Sequence, residues 1–133
     1  IIAAEFWKVH DGKTNQKSLD TRENYRWAKL FAAMVTTITD NGYITYIVGN
    51  HECDCVQKYD YDYEFYNLNI GKPISGFLKI KNGVGIKAFE DGVIAYNFLS
   101  QGQTISLSNG DLHIPPLTGA MCKKNQEQNL ICD

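Results

Sequence analysis

The residues best suited to chemistry in this sequence form a short run of potential metal ligands. His51, Cys53 and Cys55 are separated by single residues, and His113 or a carboxylate could supply a fourth ligand to zinc. Structural zinc sites normally place more than one residue between paired cysteines, so this spacing argues against a metal. The competing interpretation puts one or both thiols in disulfides. We therefore predict no metal, and no sequence motif indicates another cofactor.

A second motif overlaps the first. The run from Gly49 to Glu52 follows a predicted strand and resembles the Gly-Asn-His-Glu box of metallophosphoesterases, in which Asn and His bind a metal. That family also carries an Asp-x-His box and a Gly-Asp-x-x-Asp box nearer the N-terminus. Neither occurs here, so a two-metal site cannot be assembled from this box alone. A hydrolase or nuclease that uses His51 or His113 with nearby acids remains an alternative function.

Acidic and aromatic residues alternate just before the middle of the chain. Asp60, Asp62 and Glu64 are interleaved with Tyr61, Tyr63 and Phe65, a pattern typical of a strand with one solvated and one packed face. The acids could bind calcium, but no loop of suitable geometry surrounds them. The aromatic side chains could form a contact surface, in which we include Tyr61 and Tyr63, or could pack within the sheet.

Composition limits the possible functions. The chain has 133 residues, of which 44% are hydrophobic and 21% charged, which is typical of one globular domain. Its formal net charge of −2 does not favour nucleic acid. No stretch approaches the roughly 18 apolar residues that a membrane span needs, so we expect membrane contact only through a segment removed from the N-terminus.

Four cysteines allow three complete pairings. Cys122 and Cys132 bracket a polar stretch, and a disulfide between them would hold the end of the chain and stabilise the fold by roughly 2–3 kcal/mol. This favours an oxidising, extracytoplasmic location, whereas four reduced thiols would indicate the cytosol. A disulfide from Cys53 to Cys55 would close a very small, strained ring, and a link from either one to the C-terminal pair stays open.

Hydrophobic periodicity predicts the first half of the fold. Residues 1–10 are expected to be helical, and a second helix is expected over about 21–39. The apolar stripe of the second helix comprises Trp27, Leu30, Phe31, Met34, Val35 and Ile38, with Lys29 off the stripe. Alanines at 28, 32 and 33 should allow close packing. Strands are expected over 43–48 and over 60–65.

Turn dipeptides predict the second half. Asn82-Gly83, Asp91-Gly92, Gln101-Gly102 and Asn109-Gly110 separate short apolar runs and suit two-residue hairpin turns. The strands are expected at about 76–81, 84–89, 93–99, 104–107 and 111–114, with Val84, Ile86 and Ala88 on the face opposite Lys87. Pro115 and Pro116 should end the sheet. The predicted fold class is α+β, a long N-terminal helix packed on one face of an antiparallel β-meander.

In this order, the elements resemble the globular part of a type IV pilin or pseudopilin. The apolar run Ile1 to Val9 resembles what remains of that family's N-terminal helix, and the run from Ala33 to Tyr43 resembles the end of the helix with its Asp-Asn-Gly-Tyr turn. Cys122 and Cys132 match the family's C-terminal disulfide loop. The resemblance implies one domain over 1–133, with a helical part at 1–40, a sheet at 43–114 and a disulfide loop at 115–133.

The resemblance also implies a function. The chain would be a non-enzymatic, extracytoplasmic structural subunit of a pilus or secretion pseudopilus, which contacts other filament subunits through its N-terminal helix. Its disulfide loop would face outward as a contact surface, with Lys123 and Lys124 available to an anionic partner. One alternative is a small secreted binding module or immunity protein with its interface on the tyrosine-rich strand. The hydrolase or nuclease is the other.

Overall fold

The computed structural model describes residues 2–9, 22–40, 42–49 and 63–133. In these ranges, one α-helix and one 3-10 helix accompany nine strands in three sheets. The elements in chain order are β1 (Ile2–Val9), α1 (Arg22–Ile38), β2 (Gly42–Gly49), the 3-10 helix (Glu64–Asn67), β3 (Leu78–Lys81), β4 (Val84–Phe89), β5 (Gly92–Asn97), β6 (Gln103–Leu107), β7 (Gly110–Ile114), β8 (Thr118–Lys124) and β9 (Leu130–Cys132). Neither described helix is long and apolar enough to cross a membrane.

A five-stranded antiparallel sheet in the order β3-β4-β5-β8-β9 is the centre of the fold. Helix α1 packs on one face of it, where Ala33 lies in the same core cluster as Ile94 and Met121. The β6–β7 hairpin packs on the other face, where Leu112 and Ile114 cluster with the side chains of β4, β5 and β8. The structure therefore confirms an α+β fold with a helix on antiparallel sheet. All six residues of β5 are buried, because this strand has a layer on both faces.

The N-terminal segment differs from the expectation. Residues 1–10 were expected to be helical, but Ile2–Val9 form strand β1, which pairs in parallel with β2 from Ile2 opposite Gly42 to Val9 opposite Gly49. Helix α1 connects the two strands, so they form a β-α-β unit. The isoleucines, valine and aromatic residues of this segment suit a strand once a partner strand is present. The prediction of a helical part at 1–40 is wrong for β1.

The second predicted helix is confirmed with nearly the predicted bounds, as is the strand that follows it. Helix α1 has 17 residues and comes after a strand, so it is not the long N-terminal helix that was expected. The strand expected over 60–65 is wrong at its described end, since Glu64 and Phe65 begin the 3-10 helix. Residues 60–62 lie outside the described ranges.

The five predicted strands are confirmed, but they do not form one meander, because β6 and β7 make a separate two-stranded sheet. After β5, the chain leaves the sheet to form β6 and β7, and β8 then returns to pair with β5. The buried side-chain amide of Asn97 donates to the backbone oxygens of Gln101 and Pro115, at 2.8 and 3.0 Å, and so holds both ends of this excursion. Pro115 and Pro116 end β7, as expected, but they do not end the sheet.

Close packing between α1 and β8 determines which helix residues are buried. A Cβ atom at Gly119 would lie 2.5 Å from the Lys29 backbone oxygen and 2.6 Å from the Ala33 Cβ. Small residues are needed on both elements, so the alanines of α1 are buried. Lys29, expected off the apolar stripe, is only 4% exposed, and its amine donates to the backbone oxygen of Asp133. Ile38, expected on the stripe, is exposed.

A buried lysine from the sheet interacts with the C-terminal end of α1. Lys87 is 2% exposed, and its amine pairs with Asp40 and donates to the Thr39 backbone oxygen at 3.2 Å. The last turn of α1 has no basic residue of its own, and the amine supplies the positive charge that this end of a helix favours. As expected, Lys87 lies opposite the face where Val84 and Ile86 join the hairpin cluster.

The C-terminal segment is a disulfide-linked hairpin. Cys122 of β8 and Cys132 of β9 lie directly opposite each other and form a disulfide. The turn between the strands is closed by the Asn125 backbone N–H, which donates to the Asn129 backbone oxygen, and by the Asn129 backbone N–H, which donates to the Asn125 side-chain oxygen, each at 2.9 Å. The expected disulfide is therefore present, but the expected loop at 115–133 contains two strands.

We predict that replacing Cys122 and Cys132 together by serine lowers the free energy of unfolding by about 2–3 kcal/mol, because the unfolded chain gains loop entropy. Urea unfolding of the double variant beside the parent protein measures the difference. The substitutions leave Cys53 and Cys55 unchanged, whereas a reductant would act on every disulfide of the chain. An unchanged unfolding midpoint at an unchanged m-value would contradict the prediction.

We predict that Gly119→Ala costs about 1–3 kcal/mol of stability, because its methyl group would meet the backbone of α1. Gly76→Ala is the matched control, since a Cβ atom there has no atom within 4 Å. Thermal unfolding of the two variants tests the contrast. Equal losses in both would show that the helix does not approach β8 this closely.

Candidate functional site

The sequence motifs with potential chemistry fall mostly outside the described residues. His51, Cys53, Cys55 and Tyr61 all lie there, so the zinc and hydrolase hypotheses for His51 stay untested. His113 is on β7, where its exposed ring places Nδ1 2.9 Å from the Thr104 hydroxyl oxygen across the hairpin. Within the described ranges, no group of three His, Cys, Asp or Glu side chains could hold a metal ion.

Of the residues expected to form a contact surface, Tyr63, Lys123 and Lys124 are described and Tyr61 is not. Tyr63 is buried and stacks on Phe65, with 5.4 Å between ring centroids, which favours the packing interpretation for this tyrosine. Lys123 and Lys124 end strand β8 and are not in a loop. Lys123 is exposed, whereas the Lys124 amine donates to the Glu90 backbone oxygen at 3.1 Å.

Two titratable groups with altered pKa values lie on α1. Burial lowers the pKa of Lys29, and the charge of Asp133 opposes this shift. Burial also raises the pKa of Tyr25, with smaller contributions from Asp133 and Glu64. The Lys29 amine lies 5.7 Å from the Tyr25 ring centroid. Such shifts can mark a catalytic site, but Lys29 is almost wholly buried and Tyr25 packs against the core, so we assign the pair to packing.

The most unusual surface of the described protein is the outer border of the five-stranded sheet. We name residues 72–81 the basic edge, because Lys72, Lys79 and Lys81 lie in it. Its backbone pairs with β4 on one side, through the Lys72 and Ala88 backbone oxygens and the β3–β4 ladder. On the other side, no described strand pairs with β3. This border therefore presents backbone groups to any chain that can lie beside it.

Large apolar side chains on the basic edge are exposed to solvent. Ile74 is 64% exposed, Leu78 59%, Ile80 40% and Phe77 39%. The burial pattern of β3 is exposed at all four positions, unlike that of β4 beside it. A concentration of exposed apolar residues on one border is typical of an interaction surface.

An irregularity in β3 distributes its lysines over both faces of the sheet. Lys79 lies opposite Gly85 and Lys81 opposite Val84, with a register shift between them at Ile80. Gly85 and Val84 are neighbours in β4, so their positions face opposite sides of the sheet. Residues directly opposite each other share a face. Lys79 therefore lies on the helix side of the sheet and Lys81 on the hairpin side.

Phe77 is held in place by the sheet although it is partly exposed. Its ring covers Gly85, where a Cβ atom would lie 2.3 Å from the ring, and it stacks on Tyr96 with 6.4 Å between centroids. Burial raises the pKa of the Tyr96 hydroxyl. The aromatic part of the edge is thus preorganised on the helix side.

A cleft adjoins the basic edge at the end where the β4–β5 turn lies. Its volume is about 390 Å³, and Ile74 is the wall that it shares with the edge. Apolar and polar residues both line the cleft: Ala88, Phe89, Val93, Leu107 and Leu130, with Ser108, Asn109, Lys124 and Gln128. The volume is sufficient for a small ligand.

The sequence motifs do not indicate a function for the basic edge. A strand was expected at about 76–81, without a role. One signal was present in the charge pattern, since no acidic residue lies between Glu64 and Glu90 while lysines occur throughout this stretch. Exposure of the apolar residues could not be predicted, because any of them could equally have faced a layer of the core.

Comparison of this chain with protein-family models, curated proteins and solved structures found no match.

We predict that Phe77→Ala lowers the pKa of Tyr96 towards its ordinary value, because the stacked ring contributes to the burial of the hydroxyl. The contribution of the Tyr96 hydroxyl to the free energy of unfolding is fully present below pH 10.0, the ordinary pKa of tyrosine. It is lost as the pH rises through the raised pKa of the folded state. Stability of the variant should therefore depend less on alkaline pH. Difference titration of tyrosinate absorbance measures the shift. Leu78→Ala, which faces the other side of the sheet, is the control and should leave the titration unchanged.

Proposed function

We propose that this chain is a non-enzymatic interaction module that binds a protein partner by strand addition at the basic edge. The observation that supports it best is the row of four exposed large apolar side chains on a border with no paired strand among the described residues. In strand addition, main-chain hydrogen bonds supply affinity, and side chains on alternating faces supply specificity. The basic edge offers both kinds of group.

The other border of the sheet offers fewer of both, with Ile131 as its exposed large apolar side chain. Strand β9 has three residues and is linked to β8 by the disulfide. Short edge strands are one of the ways in which proteins prevent unwanted pairing. The contrast between the two borders supports β3 as the functional one.

We also propose an extracytoplasmic location. The Cys122–Cys132 disulfide supports it, because such bonds persist in oxidising compartments and are rare in the cytosol. This corresponds to the secreted binding module considered from the sequence, with the interface moved from the tyrosine-rich segment to β3.

A filament subunit is a second proposal. The helix on an antiparallel sheet and the C-terminal disulfide favour it. Its proposed mechanism required a helix at residues 1–10 for contact with neighbouring subunits, and Ile2–Val9 form a strand. For this reason we rank it below the interaction module. No contact of the described His113 favours a hydrolase.

A random library of linear ten-residue peptides, selected on the parent protein, tests strand addition. We predict that the selected peptides bind the Leu78→Thr/Ile80→Thr double variant at least about tenfold more weakly, because two apolar contacts are lost while strand propensity is kept. Isothermal titration calorimetry measures each affinity.

Ile131→Thr is the matched control, since Ile131 is 60% exposed on the opposite border of the same sheet. Binding to this variant should be unchanged, and N-methylation of alternate peptide bonds should abolish binding to the parent protein. The proposal fails if the library yields no binder, or if the selected peptides bind the edge variant and the control equally well.

A further inference from the structure

Granted strand addition at the basic edge, on which this inference rests, we infer that the partner segment is acidic and carries two adjacent carboxylate side chains. These side chains pair with Lys79 and Lys81 on opposite faces of the extended sheet. Two apolar residues next to the acidic pair, on its Lys79 side, contact Leu78 and Phe77.

The negative charge of the partner segment is inferred from the positive charge of the basic edge. Lys72, Lys79 and Lys81 are exposed, and their amines form no ion pair in the described part of the chain. At Lys72 the Glu90 carboxylate accepts a hydrogen bond from the backbone N–H at 3.0 Å, so the excess of positive charge lies at Lys79 and Lys81. The whole chain has a net charge of −2, so this concentration of positive charge is local. An acidic segment would be attracted to the edge, and a basic one would be repelled.

A second copy of this chain is a poor occupant. Pairing of two basic edges would bring three lysines from each copy onto one short seam. Like charges that face each other across a strand pair are destabilising. The lysines that attract an acidic segment therefore disfavour self-association. For this reason we infer that the partner is a different chain.

The spacing of the two acids follows from the register shift. In a regular strand, residues two apart would share a face, but Lys79 and Lys81 lie on opposite faces. The pairing of β3 with β4 already shows this spacing. The residues of β4 that lie opposite the two lysines, Gly85 and Val84, are adjacent in the chain. A partner strand that follows the same path on the outer side would place adjacent residues beside the two lysines. Acids at alternate positions would reach only one face.

The flanking residues follow from the apolar side chains. Leu78 lies opposite Ile86 and so on the hairpin side of the sheet, while Phe77 covers Gly85 on the helix side. Both residues precede Lys79 in the chain, so the two partner residues beside them lie on the Lys79 side of the acidic pair. β-Branched or aromatic residues at these two positions would cover Leu78 and Phe77, as cross-strand partners do.

Synthetic ten-residue peptides with capped ends test the inference. The first has two adjacent glutamates within a run of valine and threonine, and the second has the same composition with the glutamates two positions apart. A third replaces both glutamates by lysine. We expect the first to bind the parent protein about threefold more tightly than the second and about tenfold more tightly than the third, with affinities that fall as salt is raised.

Two variants connect the preference to the edge. Lys79→Gln/Lys81→Gln should bind all three peptides with similar affinity, whereas Lys123→Gln, an exposed lysine on β8, should keep the order seen with the parent protein. Backbone amide exchange of β3 should slow when the first peptide is bound, because strand addition protects edge amides.

The outcomes separate the inference from the proposed function. If the lysine peptide binds as tightly as the first, or if the spaced peptide binds as tightly, the acidic pair is wrong, while strand addition stands. If none of the three and no library peptide binds, the proposed function itself fails. If sedimentation shows a dimer of the parent protein that Leu78→Thr dissociates, the edge pairs with a second copy and the inference is overturned.

Discussion

The rest of the structure depends on how closely helix α1 approaches strand β8. At Gly119 the sheet has no side chain, and the Lys29 backbone and the Ala33 methyl group occupy the space. Two lysines are buried where the helix meets the sheet, Lys29 on α1 and Lys87 on β4. The cost of burying the Lys29 amine is offset by its hydrogen bond to the Asp133 backbone oxygen. The cost of burying the Lys87 amine is offset by Thr39 and Asp40 at the end of α1. Because a buried amine without partners is costly, the contact requires that both the end of α1 and the end of the β8–β9 hairpin be in place. The Cys122–Cys132 disulfide therefore stabilises this contact as well as the hairpin. Cys132 directly precedes Asp133, whose backbone oxygen accepts from the Lys29 amine.

The two faces of the sheet are covered by different means, and this leaves the basic edge uncovered. Helix α1 covers one face, and the β6–β7 hairpin, held through Asn97, covers the other. Both layers lie over the central strands β4, β5 and β8. Strand β3 has β4 beside it on one side and solvent on the other. Apolar residues that would be buried at the position of β5 are therefore exposed in β3. Position in the sheet, and not the residue types, makes this border a candidate site.

The local elements of the second half could be predicted because turn chemistry is local. The Asn-Gly and Asp-Gly turns defined β4 and β5, and the alternation of Val84, Ile86 and Lys87 gave their faces. Strand order could not be predicted, since it depends on the long-range pairing of β5 with β8. The first strand was missed because an apolar run fits either a helix or a strand until its partner is known. The candidate site was missed for a related reason, as exposure depends on which elements cover β3.

The basic edge contains two features that ordinarily prevent pairing between sheet borders, lysines and an irregular register. Protection alone does not explain it, because a border that only needs to avoid other strands is best served by polar residues throughout. Here the lysines are combined with Ile74, Leu78 and Ile80, which gain free energy only when something covers them. In the proposed interaction, the charged and the apolar residues together determine specificity. The apolar residues favour pairing with a strand, and the lysines restrict which strand, so the same features that keep the protein from joining to itself select a partner of opposite charge.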